Sequence, residues 1–260
     1  MVVSVNELTT QIEYPDEDGK PMAEGDTQCR YLIYARESLK VYFQNRSDVY
    51  IAGNLFIYYE QGNPEAVVAP DSFVVFGVKA GDRRSYKTWE EGDKTPDFVL
   101  EITSKSTRSK DQGAKKGIYA FLNVREYFQY DPTGDYLYPP LQGLRLDEGN
   151  YRPMATTTLA DGSRSIRSEV LGLDLRIDAS GALRFFDSIT HQKLLAHEEL
   201  DQALQQAEQA RQAAEQARQA AEQARQAAEE RANQEAIARQ EMAARLAEME
   251  AKLRSLNENA

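Results

Sequence analysis

One heptapeptide, Ala-Glu-Gln-Ala-Arg-Gln-Ala, constrains this chain more than any other feature. It occurs three times in succession, at 207–213, 214–220 and 221–227. Ala207, Ala210, Ala214, Ala217, Ala221, Ala224 and Ala228 recur in steps of three and four, and only a helix presents that period as one stripe. Leu200 and Ala203 extend the stripe backwards. After Ala228 the phase shifts by four, a stutter, and Ala232, Met242, Leu246, Met249, Leu253 and Leu256 resume a seam. Glu208/Arg211 and Arg211/Glu215 stand at ion-pair spacing on a helix surface. A helix over 199–256 would run roughly 87 Å at about 1.5 Å per residue. An alanine seam buries little area, so this segment is either a weak, close-packed coiled coil or a single solvated helix. The Met/Leu stretch 242–256 is the better association point.

The composition changes sharply at the same boundary. Nearly all Gly, Pro and aromatic residues precede residue 199. The reading is an N-terminal arm over 1–25, a folded domain over 26–198 and a heptad tail over 199–260. The tail holds 8 basic and 12 acidic side chains, which leaves −7 of the chain's −11 to the front. That sign opposes tight, unaided binding to phosphates, although a local basic patch can sit on an acidic molecule. Carboxylates do suit a metal site.

A lone Cys29 excludes an internal disulfide and a multi-cysteine zinc site; it reads as a small buried residue on a helix. With only His191 and His197, a histidine-based triad is excluded as a leading reading. No N-terminal signal pattern and no apolar run of membrane-spanning length is present, so the expected location is the cytoplasm, with no membrane partner.

Within the front domain, Tyr31, Leu32, Tyr34, Ala35, Leu39, Tyr42 and Phe43 recur at helical spacing, with Asp26 or Thr27 as a cap. β-branched and aromatic runs follow at 49–52, 55–59, 66–69, 73–78 and 97–102. A second helix is expected over 110–122, then a strand at 126–131 ended by Pro132, and short strands including 171–177 and 183–186. This order defines an α/β domain with a mixed sheet.

On a strand over 97–102, Asp97, Val99, Glu101 and Thr103 share one face. Carboxylates in a strand this apolar are costly to bury unless they are paired or hold a metal. Asp71, after Pro70 at the entry to another strand, is a second carboxylate able to converge on Glu101 if the two strands pair. Lysines follow at Lys105, Lys110, Lys115 and Lys116. Two carboxylates and a lysine are parts that can hold a divalent ion and stabilise phosphoryl charge. On spacing alone, a turn aspartate, a solvated strand glutamate and a solvated lysine face explain the same residues.

The run Ala69-Pro70-Asp71-Ser72-Phe73-Val74-Val75 precedes Pro96-Asp97-Phe98-Val99-Leu100-Glu101-Ile102-Thr103-Ser104-Lys105-Ser106-Thr107. Asp111, Lys115 and Tyr119 come next at four-residue steps, then Val124-Arg125-Glu126-Tyr127-Phe128-Gln129-Tyr130-Asp131-Pro132. In this order they resemble the Uma-type restriction-endonuclease family, a branch of the PD-(D/E)xK nuclease superfamily, over roughly residues 15–195. The resemblance implies a restriction-endonuclease-like mixed central sheet flanked by helices. It also implies DNA as substrate and Mg²⁺ or Mn²⁺ as cofactor, with Asp71 and Glu101 as metal ligands. The superfamily lysine belongs two residues after Glu101, where this chain has Thr103. The resemblance moves it to Lys115 on the following helix, with Lys105 as rival. Asp97 becomes a supporting residue or the strand's opening residue. Glu24 or Glu37 is the candidate for a glutamate from the N-terminal helix. Tyr119 and Tyr127 read as core. Arg83, Arg84, Lys87, Arg108, Lys110 and Lys116, with Lys115, are candidates for a basic rim. The displaced lysine and the acidic balance leave a second reading: a catalytically retired nuclease fold that assembles through its tail. A homo-oligomer, through the domain or the tail, fits either.

Overall fold

The computed structural model describes residues 12–16, 25–104 and 113–258, with side chains of the last helix to Lys252. Glu24, Lys105, Arg108, Lys110 and Asp111 lie outside the described residues. The chain divides into two units at Glu198/Glu199.

The first unit is built on a six-stranded mixed sheet in the order β1-β4-β6-β7-β8-β9. Its strands are β1 (Val49–Ala52), β4 (Ser72–Phe76), β6 (Phe98–Ile102), β7 (Glu126–Tyr130), β8 (Leu141–Asp147) and β9 (Asn150–Pro153). Only β6 and β7 pair in parallel within this sheet. Their connection carries the helix α2 (Ala114–Phe121), as a parallel crossover requires. The β8–β9 hairpin turns at Glu148 and Gly149, whose φ values of 49° and 79° make a turn matched to strand twist.

Both faces of the sheet are covered. Val74, Phe98, Leu100, Ile102, Phe128 and Tyr130 pack against helix α1 (Asp26–Tyr42) and a second sheet, order β10-β11-β12-β13, formed by Thr157–Thr158, Arg164–Ser168, Leu173–Ile177 and Leu183–Asp187. Phe73, Val75, Val99 and Tyr127 face the other way, into a core shared with Tyr119 of α2. That core also takes a small sheet, order β3-β2-β5, of Val67–Val68, Ile57–Tyr58 and Tyr86–Lys87. Buried Glu126 ties the two larger sheets together: it accepts from Ser168 Oγ and the Glu169 amide and pairs with Arg145 at 3.1 Å.

Several expectations shift. The runs at 55–59 and 66–69 shrink to two-residue strands outside the main sheet, because Pro70 and the turn at Gly53-Asn54 interrupt them. The loop holding Lys87 contributes a strand instead. Gly25, not Asp26 or Thr27, precedes α1, and no side chain caps it. Cys29 is exposed rather than buried, because the stripe of Tyr31, Leu32, Ala35 and Leu39 turns the opposite side of α1 to the sheet. Residues 12–16 are more than an arm: the Tyr14 ring packs edge-on to Tyr58 and against Trp89.

Buried tyrosines make the domain sensitive to alkali. Burial pushes the hydroxyls of Tyr86, Tyr119, Tyr130 and Tyr151 well up from their ordinary value, and the Glu101 charge adds to this at Tyr119. Unfolded tyrosines release protons near pH 10 and these folded ones do not, so their contribution to stability is present below about pH 10 and lost as pH rises above it. Absorbance at the tyrosinate band should therefore titrate in two stages, the second coinciding with loss of circular dichroism. Simultaneous ionisation of all 14 tyrosines in a still-folded protein would contradict this.

The second unit is one continuous helix, α3 (His197–Glu258). All its described side chains from 201 to 252 are exposed, including Leu204, Ile237, Met242, Leu246 and Met249. Arg211 pairs with Glu208, and Arg225 with Glu222, at i,i+3 spacing. No helix among the described residues is long and apolar enough to cross a membrane.

Candidate active site

The alternation along β6 sends Glu101 to the α2 face, where it is fully buried. Antiparallel pairing of Ser72 with Leu100 and Phe73 with Val99 places Asp71 opposite Glu101 on the same face. The Ile102 amide donates to Asp71 Oδ2 at 2.6 Å, and the Asp71 amide approaches Glu101 Oε2 at 3.4 Å. The first turn of α1 reaches the same strand end, where Gln28 Nε2 donates to the Ile102 carbonyl at 2.8 Å.

Helix α2 supplies the other half. Lys115 Nζ stands 2.9 Å from Glu101 Oε2, its side chain 18% exposed. One turn later the Tyr119 hydroxyl donates a short hydrogen bond to Glu101 Oε1. A buried carboxylate is tolerable here because an ammonium balances its charge and donors reach both oxygens. Asp71, Glu101 and Lys115 are thus brought together.

The other candidates are not gathered at this point. Asp97 is committed elsewhere: it accepts from the Phe76 amide at 2.8 Å and pairs with Arg125 at 2.9 Å, holding the entry to β6. Glu37 pairs on α1 with Arg36 at 2.8 Å and Lys40 at 3.6 Å. Arg83 pairs with Glu91 at 2.6 Å, its guanidinium lying over the Tyr50 ring. Arg84 reaches Asp16 at 2.5 Å and Lys87 reaches Glu90 at 3.1 Å. These three are matched by carboxylates, which weakens them as a cationic rim. Lys116 is partly buried on α2. Thr103 is buried, and its amide extends the β6–β7 ladder to the Tyr130 carbonyl at 2.7 Å.

Sequence reasoning missed the role of Tyr119. It is core, as its apolar neighbours imply, but its hydroxyl belongs to the site. The signal was its position four residues after Lys115, which puts both side chains on one helix face.

Gly53 sets the backbone position of Asp71. A Cβ on it would lie 2.2 Å from the Asp71 carbonyl oxygen, and neighbouring Asn54 donates to the Pro70 carbonyl at 2.9 Å. Gly53→Ala should therefore displace the Asp71 strand and destabilise the domain by about 1–3 kcal/mol, the usual range for overpacking. Chemical denaturation would measure it; an unchanged midpoint would show that the segment yields freely.

Among the described residues, no group of three or more His, Cys, Asp or Glu side chains is placed to share a metal ion. The donor set is two carboxylates on adjacent strands. That suits Mg²⁺, which is commonly held by one or two carboxylates with water and substrate phosphate completing its shell.

A mixed sheet carries an Asp–Glu pair at one end, with a lysine from the following helix, in an α/β domain. The chain belongs to the Uma2 family, described as "Putative restriction endonuclease", whose model matches residues 9–180. No curated protein matches. Among solved structures, the chain is similar to "a putative nuclease belonging to DUF820" from Anabaena variabilis ATCC 29413. Identity is 11%, with 54% of this chain and 75% of that chain covered, and the TM-score is 0.39.

Proposed function

We propose that this protein is a metal-dependent endonuclease that hydrolyses phosphodiester bonds in DNA, acting in the cytoplasm. The observation that carries the reading is the convergence of Lys115 and Asp71 on the buried Glu101. Family membership supports it. In the reaction, water adds to phosphorus, one P–O ester bond breaks, and the departing oxygen takes a proton. Asp71 and Glu101 would hold Mg²⁺ or Mn²⁺. When bound, the ion would polarise the phosphoryl oxygen and lower the pKa of a coordinated water. Lys115 balances the charge of Glu101 and presents an ammonium to the phosphate. Tyr119 fixes the Glu101 carboxylate so that its second oxygen stays directed at Lys115. Incubating purified protein with supercoiled and single-stranded DNA and either ion tests the reading. Absence of cutting under all four conditions would defeat it in favour of an interaction module.

The tail is proposed to assemble a homo-oligomer. Met242, Leu246 and Met249 are 56–68% exposed on α3 and stand at heptad spacing. Removing residues 199–260 should lower the mass in solution to that of a single domain while leaving it folded. An unchanged subunit number would show that the tail does not assemble the protein.

A further inference from the structure

The register of the main sheet continues the site beyond its carboxylates. Asp71 on the β4 side lies opposite Glu101, Glu101 pairs with Gln129 of β7, and Gln129 pairs with Gln142 of β8. Paired residues on neighbouring strands point to the same face, so these four make one polar row across the sheet. The adjoining row on the same face is Phe73, Val99, Tyr127 and Leu144, all apolar and packed in the core. The change from apolar to polar coincides with the end of β6 that carries the site.

Two side chains on this face are buried without a hydrogen-bond partner among the described residues, Gln129 at Nε2 and Thr103 at Oγ1; Ser72 Oγ is likewise unmatched but lies on the opposite face, paired with Leu100. The exposures of Gln129 and Thr103 are 3% and 2%. Thr103 follows Glu101 by two residues and its amide continues the ladder to Tyr130, which sets it diagonally across from Gln129. A buried donor left unmatched costs about 1–3 kcal/mol. Glu101 does not relieve it: the donors on its oxygens are Lys115, Tyr119 and the Asp71 amide. Both orphan groups can donate, and Glu101, which pairs with Gln129 across the strands, holds the ammonium of Lys115 at 2.9 Å. The acceptor that matches two donors and a cation is an anionic oxygen.

We infer that Thr103 and Gln129 donate hydrogen bonds to a nonbridging oxygen of the phosphodiester at the moment negative charge grows on it. This rests on the nuclease reading and extends it with two named donors. The position where the resemblance expects a lysine is then occupied by a neutral donor, and the cationic and hydrogen-bonding roles are divided between Lys115 on α2 and the Thr103–Gln129 pair on the sheet.

The test uses the full chain, Mn²⁺ and supercoiled plasmid DNA. Gln129→Leu and Thr103→Val keep the approximate volume and remove the donors; Thr103→Ser keeps the hydroxyl. The first two should each lower single-turnover cleavage on the order of 10²-fold, the scale seen when one oxyanion donor is lost. Mn²⁺ affinity by calorimetry should stay at the wild-type value, because Asp71 and Glu101 are untouched. Thermal midpoints should hold or rise, because an unmatched buried donor is gone. Thr103→Ser should cut within a few-fold of wild type. Wild-type cleavage by Gln129→Leu and Thr103→Val would overturn the inference and leave the nuclease reading standing. So would a loss of rate matched by equal losses of Mn²⁺ affinity or thermal midpoint, the mark of a structural role. A wild-type protein that neither binds Mn²⁺ nor cuts would overturn the nuclease reading, and this inference with it.

Discussion

Glu101→Gln is expected to reduce DNA cleavage by at least three orders of magnitude while leaving the domain folded. The substitution preserves shape and removes the charge on which the cluster is organised. A neutral amide is a far poorer ligand for a hard divalent cation than a carboxylate, so Mn²⁺ affinity should collapse together with cleavage. Stability should change little. Lys115 loses its partner, but its side chain is partly exposed and can carry the ammonium to water on a flexible stem. The substituted amide would keep an oxygen that can accept from Tyr119. Calorimetry with Mn²⁺, a plasmid-nicking assay and a thermal melt read the three consequences separately. Undiminished cutting by Glu101→Gln would remove the site from the reaction altogether.

Lys115→Met should do the reverse to stability. It leaves the fully buried Glu101 without its balancing charge. Removing one partner of a buried pair typically costs about 3–5 kcal/mol, and the 18% exposure of Lys115 argues for the lower end, about 3 kcal/mol. For a domain of this size that is about 6–12 °C in thermal midpoint. The pair should be strongly non-additive: Glu101→Gln combined with Lys115→Met should recover most of the loss, because no unpaired charge remains. A double variant as unstable as Lys115→Met alone would mean that Lys115 stabilises by packing and not by charge. Cleavage should be lost in both, since both lack the ammonium beside the phosphate.

Part of the candidate site was legible in the sequence. Asp71 and Glu101 stand as acids at the margins of apolar strands, a pattern that a turn aspartate and a solvated strand glutamate also explain; it was the family resemblance that singled them out. The alternation along 97–102 assigns Glu101 a face, and the helical spacing of 114–121 puts Lys115 and Tyr119 together. Asp97 was legible only as two alternatives, a supporting residue or the strand's opening residue. It shares the strand face of Glu101 in the linear pattern, yet its carboxylate is taken by the Phe76 amide and Arg125, partners 21 and 28 residues away. The carboxylate partners of the loop cations Arg83, Arg84 and Lys87 were equally hidden, and that of Arg84 lies 68 residues distant in sequence. That β8 and β9 join the main sheet was not legible, because membership of a sheet depends on which strand lies alongside.

The heptad tail is the limiting case of what sequence alone determines. Its period demands a helix, and 62 continuous helical residues follow from spacing and composition with no help from a neighbour. Strand faces, helix faces and the acids that need partners are likewise local properties, set by backbone periods of about 2 and 3.6 residues. The tertiary structure decided which of those groups meet. Register brought Gln129 beside Glu101 and Asp71 opposite it, and the crossover placed α2 so that a lysine and a tyrosine both reach one carboxylate. Such pairings depend on strand order and long-range packing, whose energies are summed over the whole core and leave no periodic trace in the residues themselves.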